Sequence, residues 1–227
     1  AFAALLSNRH VVGWGEMAHG GTVPDLDDIV EVIGGQVAFA AQRANGHVVA
    51  WGQAGAPSST VPGTIADYGD IVKVIGNQYA FAARRATGHV VAWGDAARGG
   101  DVPGTIQTFS DIVEVVGSSA ACAARRANGH VVAWGDADYG SAVPGAIADL
   151  SDIVEVAGGS RAFAARRANG KVVAWGHADW GGNLPVDYYG IDDIVQLSTT
   201  AGAFAALRSN GSVVAWGHAT WGGDTRA

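Results

Sequence analysis

Apolar and polar positions along this chain alternate in short bursts rather than in helical periods. The run His130-Val131-Val132-Ala133-Trp134-Gly135 is typical, a β-branched and aromatic stretch closed by glycine. Its counterparts carry Trp14, Trp51, Trp93, Trp134, Trp175 and Trp216, spaced 37, 42, 41, 41 and 41 residues apart. Each is preceded by an alanine-rich run, A-[FC]-A-A, starting at Ala1, Ala38, Ala80, Ala121, Ala162 and Ala203. Between successive units stands D-I-V-x-[VL], at Asp28, Asp70, Asp111, Asp152 and Asp193. β-Branched and aromatic residues favour strands. The recurrent glycines leave no stretch of about ten residues at period 3.6, so an array of helices is excluded.

The joint between the first two pieces is Asn-Gly at Asn45-Gly46, Asn128-Gly129, Asn169-Gly170 and Asn210-Gly211, with Thr87-Gly88 in one unit. Asn-Gly between apolar runs predicts a two-residue type I′ hairpin, because both central residues need positive φ. Asp111-Ile112-Val113-Glu114-Val115 predicts a third strand closed by Gly117, and 102–106 a short fourth at an edge, where Pro103 is tolerated. Self-similar units of three or four strands predict an all-β fold, a β-propeller of about six blades in one domain over 1–227. Six hairpins stand against five D-I-V strands. The expectation is therefore an incomplete or truncated ring, its gap open to a partner strand.

At this level the unit D-I-V-E-V-x-G-x-x-x-A-F-A-A-R-R-A-N-G-H-V-V-A-W-G resembles the regulator of chromosome condensation (RCC1) repeat, over nearly the whole chain. It departs from the family's pattern in three respects. The usual G-Q-L-G after the tryptophan is G-G-x-[VL]-P, as at Gly99-Gly100-Asp101-Val102-Pro103. The repeat is shorter than the commonest form. The leucine of the central strand survives at Leu5 and Leu207 but is Gln42, Arg84, Arg125 and Arg166 between them. The repeat is similar to short, alanine-rich variants that are abundant in some unicellular algae. The resemblance implies RCC1-like blades and a protein-binding role, extending to an accessory subunit of an organellar assembly such as a photosynthetic complex.

Charge narrows the partners. Fourteen basic against 21 acidic residues give a net −7, which disfavours direct nucleic-acid binding. Cys122 is the single cysteine, so neither a disulfide framework nor a multi-cysteine zinc site can form within the chain. No uninterrupted apolar run of about 18 residues predicts a membrane span. No leader segment is visible, and the compartment stays open.

The candidate chemistry is sparse. Paired arginines recur at Arg84-Arg85, Arg125-Arg126 and Arg166-Arg167, and are read as cross-strand partners of Asp28, Glu31, Asp111, Glu114, Asp152 and Glu155. The histidines His10, His47, His89 and His130 give way to Lys171 and Ser212, which reads as an exposed strand start rather than a metal site. Six tryptophans, Trp14, Trp51, Trp93, Trp134, Trp175 and Trp216, are expected to wedge between blades. One loop position differs from unit to unit: His19, Arg98, Tyr139, Trp180 and Trp221. Variable large side chains on a fixed scaffold loop mark a candidate binding surface.

No G-x-S-x-G, H-E-x-x-H, Walker or EF-hand pattern is present, so no catalytic residue, metal or cofactor is assigned. The leading expectation is a non-catalytic scaffold or accessory subunit that binds other proteins. The alternative is a lectin-like propeller that stacks sugar rings on Tyr139, Trp180 and Trp221. The guanine-nucleotide exchange associated with the RCC1 family ranks below both, because each full unit is 41 or 42 residues with no inserted wedge and the chain has no basic tail.

Overall fold

The D-I-V, alanine-rich and V-V-A-W runs of each repeat join into one antiparallel sheet in the computed structural model, which describes residues 1–224. The first sheet has two strands, β1 (Phe2–Leu5) and β2 (Val11–Trp14). Five three-stranded sheets follow. They are β3–β5 (Ile29–Gly34, Ala38–Arg43, Val48–Gly52) and β6–β8 (Ile71–Gly76, Ala80–Arg85, Val90–Gly94). Next come β9–β11 (Ile112–Gly117, Ala121–Arg126, Val131–Gly135) and β12–β14 (Ile153–Gly158, Ala162–Arg167, Val172–Gly176). The last is β15–β17 (Ile194–Thr199, Ala203–Arg208, Val213–Gly217). Contacts group the chain into two compact units, Ala1–Ser110 and Asp111–Ala227, with three sheets in each.

The alanines are explained by sheet stacking. The alanine-rich strand is central in every three-stranded sheet, so it is covered on both faces and loses polar alternation; Ala80 to Ala83 are all buried. Within the second unit, Ala121 and Ala123 of one sheet pack on Phe163, Trp175 and Ile153 of the next. Ala162 and Ala164 of that sheet pack in turn on Phe204, Trp216 and Ile194. The first unit repeats the device, with Ala38 and Ala40 against Phe81 and Trp93. Each sheet thus has one small-residue face and one large-residue face. At about 25 cal/mol/Å² over roughly 150–250 Å², each tryptophan contributes several kcal/mol of burial.

Ion pairs register the sheets. The aspartate before each first strand meets the last arginine of the central strand: Arg43–Asp28, Arg85–Asp70, Arg126–Asp111, Arg167–Asp152 and Arg208–Asp193, all at 2.8–2.9 Å. A second row pairs Arg125 with Glu114 and Arg166 with Glu155. Glu31 departs from the expected within-sheet pairing: it faces Gln42 across the strands and bonds Lys73 of the neighbouring sheet. A bulge at the first strand leaves one valine per sheet outside the ladder, as at Val154, which is 38% exposed.

Two local expectations are corrected. The Asn-Gly joints are not two-residue type I′ turns, because Asn45, Asn128, Asn169 and Asn210 keep negative φ. Gly46 alone turns to φ 81°, its N–H bonds Arg43 O, and Asn45 Oδ1 accepts from the His47 amide. The asparagine side chain therefore closes the turn that its backbone was expected to close. The segment 102–106 is likewise not a fourth strand. It runs into a single helical turn, α2 (Gly104–Gln107), equivalent to α1 (Gly63–Ala66) and α3 (Gly145–Ala148). Proline at the residue before each turn presets φ and removes a strand donor. Among the described residues no helix is long and apolar enough to cross a membrane.

Candidate functional site

The variable loop position has a fixed backbone setting. His19, Arg98, Tyr139, Trp180 and Trp221 each end a 3₁₀ turn that follows an outer strand, and each precedes a glycine with φ between 90° and 99°. In the loops at Asp95 and Asp136 the carboxylate caps the turn, accepting from the amides of Ala97 and Asp138. The last two loops carry histidine there. His177 Nδ1 is buried with no partner, whereas His218 Nδ1 lies 2.8 Å from Thr220 Oγ1.

The side chains have different neighbours. His19 pairs with Glu16 at 2.9 Å. Arg98 bonds Asp95 and lies over Tyr79 at 4.2 Å, and Tyr139 lies under the Arg161 guanidinium at 4.7 Å. Only Trp180 and Trp221 are brought together among the expected residues. Their rings are 6.3 Å apart, and Trp180 is 5.7 Å from the His218 ring. Trp221 remains 49% exposed. The pair exists because of Gly202, which stands where the equivalent residues are Tyr79, Ala120 and Arg161. A Cβ on Gly202 would lie 2.9 Å from Trp221 Cγ and 3.2 Å from Trp180 Cε3. Thr200 Oγ1 donates to the Trp221 carbonyl at 2.9 Å and fixes the second loop.

With the sheets and this surface in hand, the chain can be set beside known proteins. No family model matches it, and no curated protein matches it in sequence. Solved structures match it in three dimensions. The ectodomain of the Physcomitrella patens receptor kinase CR4 is 15% identical with a TM-score of 0.62, covering 95% of this chain and 58% of that one. Human WBSCR16 is 18% identical with a TM-score of 0.59, covering 83% and 61%. Prp20p, the yeast RCC1 of Saccharomyces cerevisiae, is 17% identical with a TM-score of 0.58, covering 83% and 57%. The fold is that of RCC1-like propeller blades. The chain spans less than two thirds of the length of these structures.

The strand tryptophans occupy a different place from the loop pair. Trp51, Trp93, Trp134, Trp175 and Trp216 are 1–6% exposed. Trp14 departs from its column: it is 52% exposed and stacks on Phe2 alone, because the glycine loop that covers a later tryptophan has no counterpart over it among the described residues. Sequence reasoning missed Gly202, His218 and Thr200. A column comparison would have flagged Gly202 as the one glycine in its position, but nothing in the sequence says that two loop tryptophans need that space.

Proposed function

We propose that this chain is an RCC1-like repeat protein of the short, alanine-rich type that serves as a non-catalytic scaffold, binding a partner protein through the loop surface around Trp180 and Trp221. The observation that carries the reading is the aromatic pair, Trp221 exposed and Trp180 half-buried, beside His218 and over a glycine where any side chain would displace the rings. Aromatic side chains bury large area at small entropic cost and dominate protein interfaces. Tyr139 with Arg161, and Arg98 with Tyr79, supply planar cationic and aromatic groups at the equivalent loop positions. Among the similar structures, yeast RCC1 (Prp20) is bound by Kap60, and Prp20p has binding properties toward Gsp1p and histones.

The experiment is native-gel separation of the protein from its source, with mass spectrometry of whatever co-migrates, repeated with Trp180→Ala/Trp221→Ala. Co-migration with a protein in the wild type and its loss in the double variant is the expected result. Migration as a free chain would overturn the scaffold reading. A glycan panel tests the lectin-like alternative, which the same ring pair favours: glycan binding abolished by the double variant would replace a protein partner with a sugar.

A further inference from the structure

The outer strands β8 and β14 each have an unused hydrogen-bonding edge. In the third sheet, Arg85 N–H bonds His89 O and Asp95 N–H bonds Tyr79 O, which fixes the ladder phase: Val91 and Trp93 exchange bonds with β7. The amides and carbonyls of Val90 and Ala92 therefore point away from β7, and no other backbone or side chain among the described residues bonds them; Val90 is 2% exposed, so Ala92 is the open position. In the fifth sheet the same phase, set by Arg167 N–H to Lys171 O and His177 N–H to Arg161 O, leaves Val172 and Ala174 free.

Both edges open into a groove. Beside β8 it measures about 490 Å³, walled by Ile65 and Tyr68 on the α1 side and by Asp101 and Gln107 on the α2 side. Beside β14 it measures about 310 Å³, between Ile147 of α3 and Leu184 and Tyr189 of the next linker. These are equivalent positions in the repeat. In the sixth sheet Tyr188 takes the place of Ile65 and Ile147, and its hydroxyl donates to the carbonyl of Ala215 at 3.1 Å. There the chain itself supplies a donor to the same carbonyl that is free at Ala92 and Ala174.

We propose that the grooves beside β8 and β14 each take an extended segment of a partner protein, which adds as a fourth strand to the free edge. An unpaired edge is a template for another strand, and main-chain bonds supply the affinity in such complexes. The walls are apolar at Ile65 and Ile147. Arg85 and Arg167 at the strand starts are already paired with Asp70 and Asp152, but Lys171 beside β14 has no ion-pair partner among the described residues, so the segment that lies there carries an acidic residue at that end. Two equivalent grooves on one chain suit a partner with two such segments. The proposal rests on the protein-binding reading above only in that its ligand is a protein segment; it uses a different surface.

The test is binding of the purified full chain to an array of synthetic decapeptides. The best binder is then remade with N-methyl groups on alternate residues in each of the two phases. Strand addition uses the donors of one phase only, so one N-methyl series should lose at least about tenfold in affinity while the other keeps it. Ile65→Tyr/Ile147→Tyr, which copies the hydroxyl bond seen at β17, should abolish binding. Ala92→Pro/Ala174→Pro, which removes donors the fold does not use, should weaken it even if the tyrosines disturb folding. Absence of any binder at millimolar peptide, equal losses in the two N-methyl phases, or unchanged binding by both sets of variants would each overturn the proposal. Trp180→Ala/Trp221→Ala should leave peptide affinity intact. A partner lost in that variant but kept by the groove variants would preserve the loop-surface reading and sink this one.

Discussion

Trp216 donates its indole N–H to the carbonyl of Gly181, 3.0 Å away and 35 residues earlier in the chain. The same bond joins Trp175 to Gly140 at 2.9 Å and Trp51 to Gly20 at 3.2 Å. Each tryptophan thus pins the loop of the preceding blade while its ring stacks on its own phenylalanine, Phe204 in the case of Trp216. Trp93, although buried, lacks this bond. The loop before it, Gly52 to Thr60, is one residue longer and of different sequence, and its Nε1 is buried with no partner.

That exception gives a matched pair of variants. Trp216→Phe loses a buried bond and strands the Gly181 carbonyl, whereas Trp93→Phe removes a donor that already lacks a partner. Both shrink the core alike, so Trp216→Phe should cost about 1–2 kcal/mol more in denaturant unfolding. Equal costs would show that the loop bond contributes nothing.

Gly181 is held twice over. Its φ is +90°, and a Cβ would sit 2.6 Å from Phe204 Cδ2. Gly181→Ala should destabilise by roughly 2–4 kcal/mol through backbone strain and ring displacement. Gly104→Ala, in the first turn of α2 with no atom within 4 Å of its Cβ, should be neutral or stabilise by up to about 1 kcal/mol. Thermal unfolding of the two variants checks the contrast.

Lys73 stands opposite Arg84, where the equivalent sheets place Glu114 opposite Arg125 and Glu155 opposite Arg166. Lys73→Glu breaks the bridge to Glu31 but gives Arg84 the partner its counterparts have. Because these pairs are partly exposed, the two changes should nearly cancel, within about 0.5 kcal/mol. The double variant Lys73→Glu/Arg84→Ala, which keeps only the loss, should be less stable than Lys73→Glu.

Acid should act on the last sheet through Asp193. The hydrogen bond from Arg208, with the guanidinium charge behind it, holds this carboxyl below its ordinary value. Its folded value lies below the unfolded value of about 3.9, so its contribution is complete above that pH and is lost as pH falls through the folded value. Asp193→Asn removes the linkage. The fall in melting temperature on going from about pH 6 to about pH 3 should be smaller in the variant than in the wild type.

The strands were legible because their cause is local. The V-V-A-W-G and D-I-V runs carry β-branched residues, and the period brings them round again and again. The Arg–Asp ladder was legible as well, since periodic opposite charges on adjacent strands have few other partners. The turns were misread at Asn45 because an asparagine can close a turn with its backbone or its side chain, and the two look alike in sequence. The fourth strand failed at Pro103, where a proline compatible with an edge also starts a helical turn. The loop positions of Trp180 and Trp221 could be named, but not their meeting.

By itself, the sequence determined which segments become strands, how they pair within a repeat, and where large side chains replace one another on a constant loop. Those are properties of residues near each other in the chain or at the same phase of the repeat. Tertiary structure alone decided that Gly202 admits two indoles, that Trp216 reaches the loop of the previous blade, and that Tyr188 bonds one outer edge while Ile65 and Ile147 leave two open. Each depends on the space between neighbouring sheets, a distance that no single repeat encodes.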